Sequence, residues 1–153
     1  MPRKKYQNKV LDARPDRLDL RDREYQPPLR SLPRQWPAQE LIEQLLPGYT
    51  RSGMILDQGR EGACTGFGLA AVINYLIWRD TLTIDQDEIV CPETGLAKKI
   101  SPRMLYNMAR IYDEWEGEDY EGSSCRGAMK GWHRHGVCSE TAWPCVCHHR
   151  VYR

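Results

Sequence analysis

Leu56-Asp57-Gln58-Gly59-Arg60-Glu61-Gly62-Ala63-Cys64-Thr65-Gly66-Phe67 runs from a polar, glycine-rich turn into a cysteine, and an apolar run, Leu69 to Trp78, follows it. Leu69, Ala70, Ala71, Val72, Ile73, Tyr75, Leu76, Ile77 and Trp78 make that run apolar on nearly every side. A helix of this kind is expected to be buried rather than amphipathic. Cys64 then falls at or near the first turn of a core helix. Free backbone N–H groups and the macrodipole favour an anion there, which predicts a thiolate-prone sulfur. Gln58 stands six residues before Cys64, across Gly59 and Gly62, so its amide can fold back beside the sulfur. A donor so placed stabilises the oxyanion formed when a thiolate attacks a carbonyl. The plainer alternative makes Cys64 a buried small hydrophobe, the usual fate of a free cysteine. It leaves Gln58 and the glycines unexplained.

The segment resembles the Gln-Gly-x-x-Gly-(Ser/Ala)-Cys signature of papain-like cysteine peptidases. The Gln58-to-Cys64 spacing fits, as do Gly62 and Ala63. Thr65 stands where plant and animal members carry an aromatic, and Glu61 where they carry a disulfide cysteine. The Ala-Cys-Thr-Gly-Phe version is similar to the bacterial branch. By the same resemblance, Cys125 sits where the partner of that missing cysteine is found, and it is expected to be a free thiol.

Composition sets the class. The chain has 153 residues, 28% charged and 41% hydrophobic, as expected for one ordinary soluble domain. A formal net charge of +1 gives no reason to expect nucleic acid or an acidic surface as partner. No run approaches a membrane span, and Met1-Pro2-Arg3-Lys4-Lys5 lacks an apolar signal core, so it reads as a solvated tail. The six cysteines, at positions 64, 91, 125, 138, 145 and 147, lack the spacing of a small secreted scaffold. They are expected to be mostly reduced thiols of a cytoplasmic protein.

Three units are expected: an extended arm over 1–55, a helical domain over 56–144 and a divergent tail over 145–153. Seven of the ten prolines fall before residue 48, which disfavours long helices in the arm. Only Ala38 to Leu46 reads as a brief helix. Pro15 to Asp22 alternates charge with two leucines, and its solvated-linker reading competes with a docked one. Leu18, Leu20, Leu29, Leu32 and Trp36 favour an arm lying across the core, since a free linker need not carry apolar points. Beyond the core helix, Leu82-Thr83-Ile84 and Ile89-Val90-Cys91 are expected to pair as short strands. Ser101-Pro102 opens a second helix with a cap and a proline at its first position. Met104, Leu105, Met108, Ile111, Tyr112 and Trp115 fall on one face of it. An acidic loop, Glu116 to Glu121, precedes a third helix that begins near Ser124 and stops at Gly136, a residue suited to a left-handed cap.

The order of these last elements, closing on Gly136-Val137-Cys138-Ser139-Glu140-Thr141-Ala142-Trp143-Pro144, is similar to the left, helical domain of the same family. The Asp-x-x-Asp-x-Arg-Asp lead-in near Asp16 also resembles its bacterial members. The resemblance covers about Asp12 to Pro144. It implies a mainly α fold, the left domain of the α+β papain-like fold, with little β and a proline-rich extended N-terminal arm. It also implies peptide-bond hydrolysis through a Cys64 thioester, with Gln58 as oxyanion donor, a peptide or protein substrate, and no metal or cofactor. The family's catalytic His and Asn lie roughly 130–150 residues beyond the nucleophile, past Arg153. His133, His135, His148 and His149 lie outside the family's His context, so the chain alone is expected to be an inactive half. A missing second, β-rich domain or another chain would supply the base. Two alternatives come from other classes. One is a non-catalytic peptide-binding module. The other is a zinc protein that uses Cys138, Cys145, Cys147, His148 and His149 as soft and imidazole ligands.

Overall fold

The computed structural model describes residues 11–24, 26, 38–85, 88–90, 99–115 and 120–143. Their order is β1 (Ala13–Arg14), α1 (Gln39–Arg51), α2 (Cys64–Arg79), β2 (Thr83–Asp85), β3 (Glu88–Val90), α3 (Pro102–Ile111), β4 (Ser123–Ser124) and α4 (Cys125–His135). The architecture is mainly α. Its sheets are two pairs: β1 parallel to β4, and β2 antiparallel to β3 with Thr83 opposite Val90. The hairpin is displaced by one residue from the expected strands, and Cys91 lies outside the described residues.

Local chemistry sets the helix ends. The Ser101 hydroxyl accepts from the Met104 N–H at 3.1 Å, and Pro102, which has no N–H to satisfy, takes the first position of α3. Ser124 caps α4 in the same way, accepting from Gly127 N–H at 3.1 Å. α4 ends at Gly136, where φ is 68° and ψ is −147°. The positive φ favours glycine as expected, but that ψ lies outside the left-handed helical well.

α2, α3 and α4 pack together around two small clusters. Ala70, Ile73, Ile100 and Leu105 form one, and Ala63, Phe67 and Tyr106 the other, with half-buried Leu56 touching both. Close approach of α2 to α3 depends on Gly66: a Cβ there would lie 2.5 Å from the Tyr106 nitrogen and 2.6 Å from its Cα. After α4 the chain returns to the start of α3. Ser101 N–H donates to Cys138 O at 3.0 Å, and the Ser101 hydroxyl donates to Trp143 O at 2.6 Å.

Four expectations are corrected. α2 is not buried all round: Ala70, Ile73, Asn74 and Trp78 are buried, whereas Val72, Tyr75, Leu76 and Ile77 are exposed, Val72 by 56%. α3 buries Pro102, Leu105, Tyr106 and Ala109 rather than the methionine-rich face, and Ile111 is exposed. Leu105 and Tyr106 fill that face, and Ala109 lets α4 come close, since a Cβ at Gly127 would stand 2.7 Å from the Ala109 oxygen. α1 continues through Pro47 to Arg51, although an interior proline costs about 3 kcal/mol. It leans on α2 through an edge-on contact of Tyr49 and Trp78, with ring centroids 5.5 Å apart.

The fourth correction concerns the arm. Over residues 12–22 it does lie across the helices, but Leu18 and Leu20 do not hold it: they are 91% and 95% exposed. Leu29, Leu32 and Trp36 lie outside the described residues. Polar groups anchor it instead. Asp12 accepts from Gly122 N–H at 3.1 Å, and Asp16 accepts from Arg126 N–H at 2.8 Å. The Arg17 N–H donates to Glu114 at 2.8 Å, and Arg126 reaches Arg17 O at 2.7 Å and pairs with Asp22. The Arg17 guanidinium stacks 4.2 Å from the Trp115 ring centre, and Arg14 lies 4.1 Å from that of Tyr120. Among the described residues no helix is long and apolar enough to cross a membrane.

Candidate active site

The loop before α2 is folded by its own polar groups. Gly59 takes a φ of 67°, and its N–H donates to the Asp57 carboxylate at 2.9 Å. The Gln58 amide turns onto its own loop three residues on, where its Nε2 donates to Glu61 O at 3.0 Å. The Glu61 carboxylate pairs with Arg103 of α3. Position 61 is therefore tied to the helical core by charge. Ala63 is fully buried, and its carbonyl accepts the Phe67 N–H at 3.0 Å, the first helical bond of α2.

Cys64 is the first residue of α2, with Ala63 as an N-cap that offers no side-chain acceptor. Its thiol is free and half-buried. One residue on, the Thr65 hydroxyl meets the Ser123 hydroxyl at 2.5 Å with both groups buried, and so joins the start of α2 to β4. β4 is positioned in turn by Asp113, which accepts from Ser124 N–H at 3.0 Å and from the Tyr120 hydroxyl. Burial pushes the Asp113 carboxyl up, but those donors outweigh it and hold the group below the usual carboxylate range. The Tyr120 hydroxyl is pushed well above its ordinary value by burial and by the same carboxylate.

Cys64 opens onto a pocket of about 330 Å³ between α2 and α4. Leu69 and Val72 line one side, Ala128 and Met129 the other, and Ala13 of the arm closes an edge. Cys125 lines it as well, an exposed free thiol. The sequence places Cys125 only as an unpaired cysteine. Its presence at the pocket was detectable from the i, i+3, i+4 spacing of Cys125, Ala128 and Met129 on one helix face. The Thr65–Ser123 and Glu61–Arg103 pairs join distant parts of the chain, and no local signal announces them.

No histidine among the described residues lines this pocket. His133 and His135 occupy the exposed last turn of α4, where His135 Nε2 and the Tyr112 hydroxyl lie 2.7 Å apart. Helical rise sets His133 about 12 Å along the axis from Cys125. His148, His149, Cys145 and Cys147 lie outside the described residues, so the structure does not describe the suggested zinc cluster; of its members only Cys138, half-buried and free, is seen. No protein-family model, curated protein or solved structure matches this chain.

Proposed function

We propose that this chain carries the nucleophile half of a bacterial-type papain-like cysteine peptidase. One observation carries the reading: a free thiol opens a core-packed helix at the edge of a pocket, behind a loop in which Gln58 folds back on itself. In this chemistry the Cys64 sulfur attacks the carbonyl carbon of a peptide bond, and Gln58 donates to the developing oxyanion. The tetrahedral species collapses to a thioester as the amine leaves with a proton, and water then hydrolyses the thioester to the acid and the thiol. A general acid and base is needed at both stages, a contribution on the order of 10²–10⁴-fold. With no imidazole among the described pocket residues, that group belongs to another segment or a second polypeptide. Cytoplasmic placement accords with the free thiols of Cys64, Cys125 and Cys138, the cysteines among the described residues.

Competitive alkylation with iodoacetamide at graded pH, read by peptide mass spectrometry, tests the nucleophile. Cys64 is expected to react as the most thiolate-like of the six cysteines; a place among the slowest sites overturns the assignment. Hydrolysis of peptidyl-aminomethylcoumarins by the chain and by Cys64→Ala tests the base. The chain alone is expected not to turn over. Turnover that vanishes in Cys64→Ala would instead put the base within the chain, with His133, His135, His148 and His149 the candidates.

A further inference from the structure

The groove beside Cys64 has a second thiol and walls that hydrolysis does not require. On α2, Thr65, Gly68, Leu69 and Val72 follow one helix face, and Cys125, Ala128 and Met129 do so on α4. Both rows border the same 330 Å³ space, at the small end of the volumes in which proteins hold small molecules. Among the described residues no charged side chain lines it. Arg126, next in sequence to Cys125, turns to Glu114, Asp22 and the arm instead. The Thr65 hydroxyl is engaged by Ser123, so beside the two thiols what remains is methyl, methylene and thioether surface. The groove is open over Gly68, where an added Cβ meets nothing within 4 Å. Cys125 is exposed, and Met129, one turn further on, is 50% exposed.

We infer that this groove captures soft, apolar electrophiles: a conjugated carbonyl compound with a short alkyl chain adds to the Cys125 sulfur, and its chain lies between Val72 and Met129, covering Cys64. The sulfur lone pair forms the new bond to the β-carbon, and the alkene pair shifts toward the carbonyl. The thiol proton ends on the α-carbon. Nothing leaves and nothing is oxidised. An uncharged groove favours such a chain over an anionic thiol adduct, because burying an unpaired carboxylate there is costly. The inference is independent of peptidase activity, since its readout is an adduct on Cys125.

The test uses the full chain and N-methyl-, N-ethyl-, N-butyl- and N-hexylmaleimide, which add to thiols in the same way. Adduct formation at each cysteine is followed by peptide mass spectrometry, in buffer and in urea. At Cys125 of the folded chain the rate is expected to rise with chain length, by up to about fourfold for each methylene buried. In urea the trend should vanish. Gly68→Leu, which fills the open space, should flatten it, and the hexyl adduct should slow iodoacetamide at Cys64 several-fold. If Gly68→Leu fails to fold by circular dichroism, Met129→Ser takes its place and should lower the slope. Rates at Cys125 that are flat across the series overturn the inference. So does a slope that survives groove filling, or one that appears at Cys64 in place of Cys125.

Discussion

The arm and the helical core of this molecule are held by opposite means. Between α2 and α3 the contact is apolar and close, with Ala70, Leu105 and Ala109 wholly buried and Gly66 against the Tyr106 backbone. Over residues 12–22 the contact is made by carboxylates, guanidinium groups and backbone N–H donors, while Leu18 and Leu20 face solvent. A short segment interrupted by proline cannot present a continuous apolar stripe, so it docks through groups that bind one at a time. A helix presents a stripe and docks through area. The same residue type, leucine, therefore means core in one region and surface in the other.

The largest expected effect tests the core side of that contrast. Gly66→Val puts side-chain atoms into the Tyr106 backbone, whose nitrogen stands 2.5 Å from the Cβ position. Backbone gives way less readily than a flexible side chain, and overpacking of this kind costs about 3 kcal/mol or more. That is a large share of a small domain's stability. The urea midpoint followed by tryptophan fluorescence should collapse. Gly68→Ala, two residues on, should be neutral or stabilising by up to about 1 kcal/mol, because α2 loses a glycine and nothing opposes the methyl. Equal midpoints for the two variants would mean that α2 and α3 are not packed as described.

Capping residues made the helix boundaries legible in the sequence, because capping is settled within four residues. Ser101-Pro102, Ser124 and Gly136 mark real ends. Cys64 at the head of α2 was legible from a different signal, a glycine-rich polar turn that gives way to an apolar run. Which face each helix buries was not legible. An apolar run such as Leu69 to Trp78 shows only what can be buried, and what packs on it is decided by residues far along the chain. α3 illustrates the point: Ala109 and Pro102 carry less apolar weight than Met104 and Met108, yet they are the buried ones, beside Leu105 and Tyr106. That the arm docks was legible, but what anchors it was not, for a related reason. Leu18 and Leu20 stood out as apolar points, whereas the partners of the charges, Arg126 and Glu114, lie about a hundred residues along the chain.

A smaller effect, but one specific to the arm, comes from acid. Burial pushes the Glu114 carboxyl up, and the Arg17 N–H with the Arg126 guanidinium more than offsets this, so the group lies below its ordinary range. Asp113 is lowered too, by Tyr120 and Ser124 against its own burial. With folded pKa values below unfolded ones, the unfolded chain takes up protons first as pH falls. The stabilisation is therefore full above about pH 4–4.5 and is lost as pH drops through the folded values. Hydrogen exchange, corrected for intrinsic rates, should show residues 12–22 deprotecting below about pH 4 while α2 and α3 stay protected. Glu114→Gln should expose the arm already at neutral pH. Arm and core opening together at every pH would erase the distinction between them.

The smallest expected effect is the sharpest test of what holds the arm. Leu18→Ser and Leu20→Ser remove apolar side chains that are 91% and 95% exposed in the folded chain. A side chain that stays in water on folding contributes almost nothing to burial, so each change should move stability by no more than about 0.5 kcal/mol. Protection of residues 12–22 should also persist, because Asp12, Asp16 and Arg17 keep their partners. Leu105→Ala, at a fully buried site, provides the scale, with an expected cost of about 2–5 kcal/mol. A loss above about 1 kcal/mol at Leu18 or Leu20, or an arm that opens when either is replaced, would show that these leucines are covered in solution. The apolar reading of the arm would then be restored, and its polar contacts would position a segment that burial holds down.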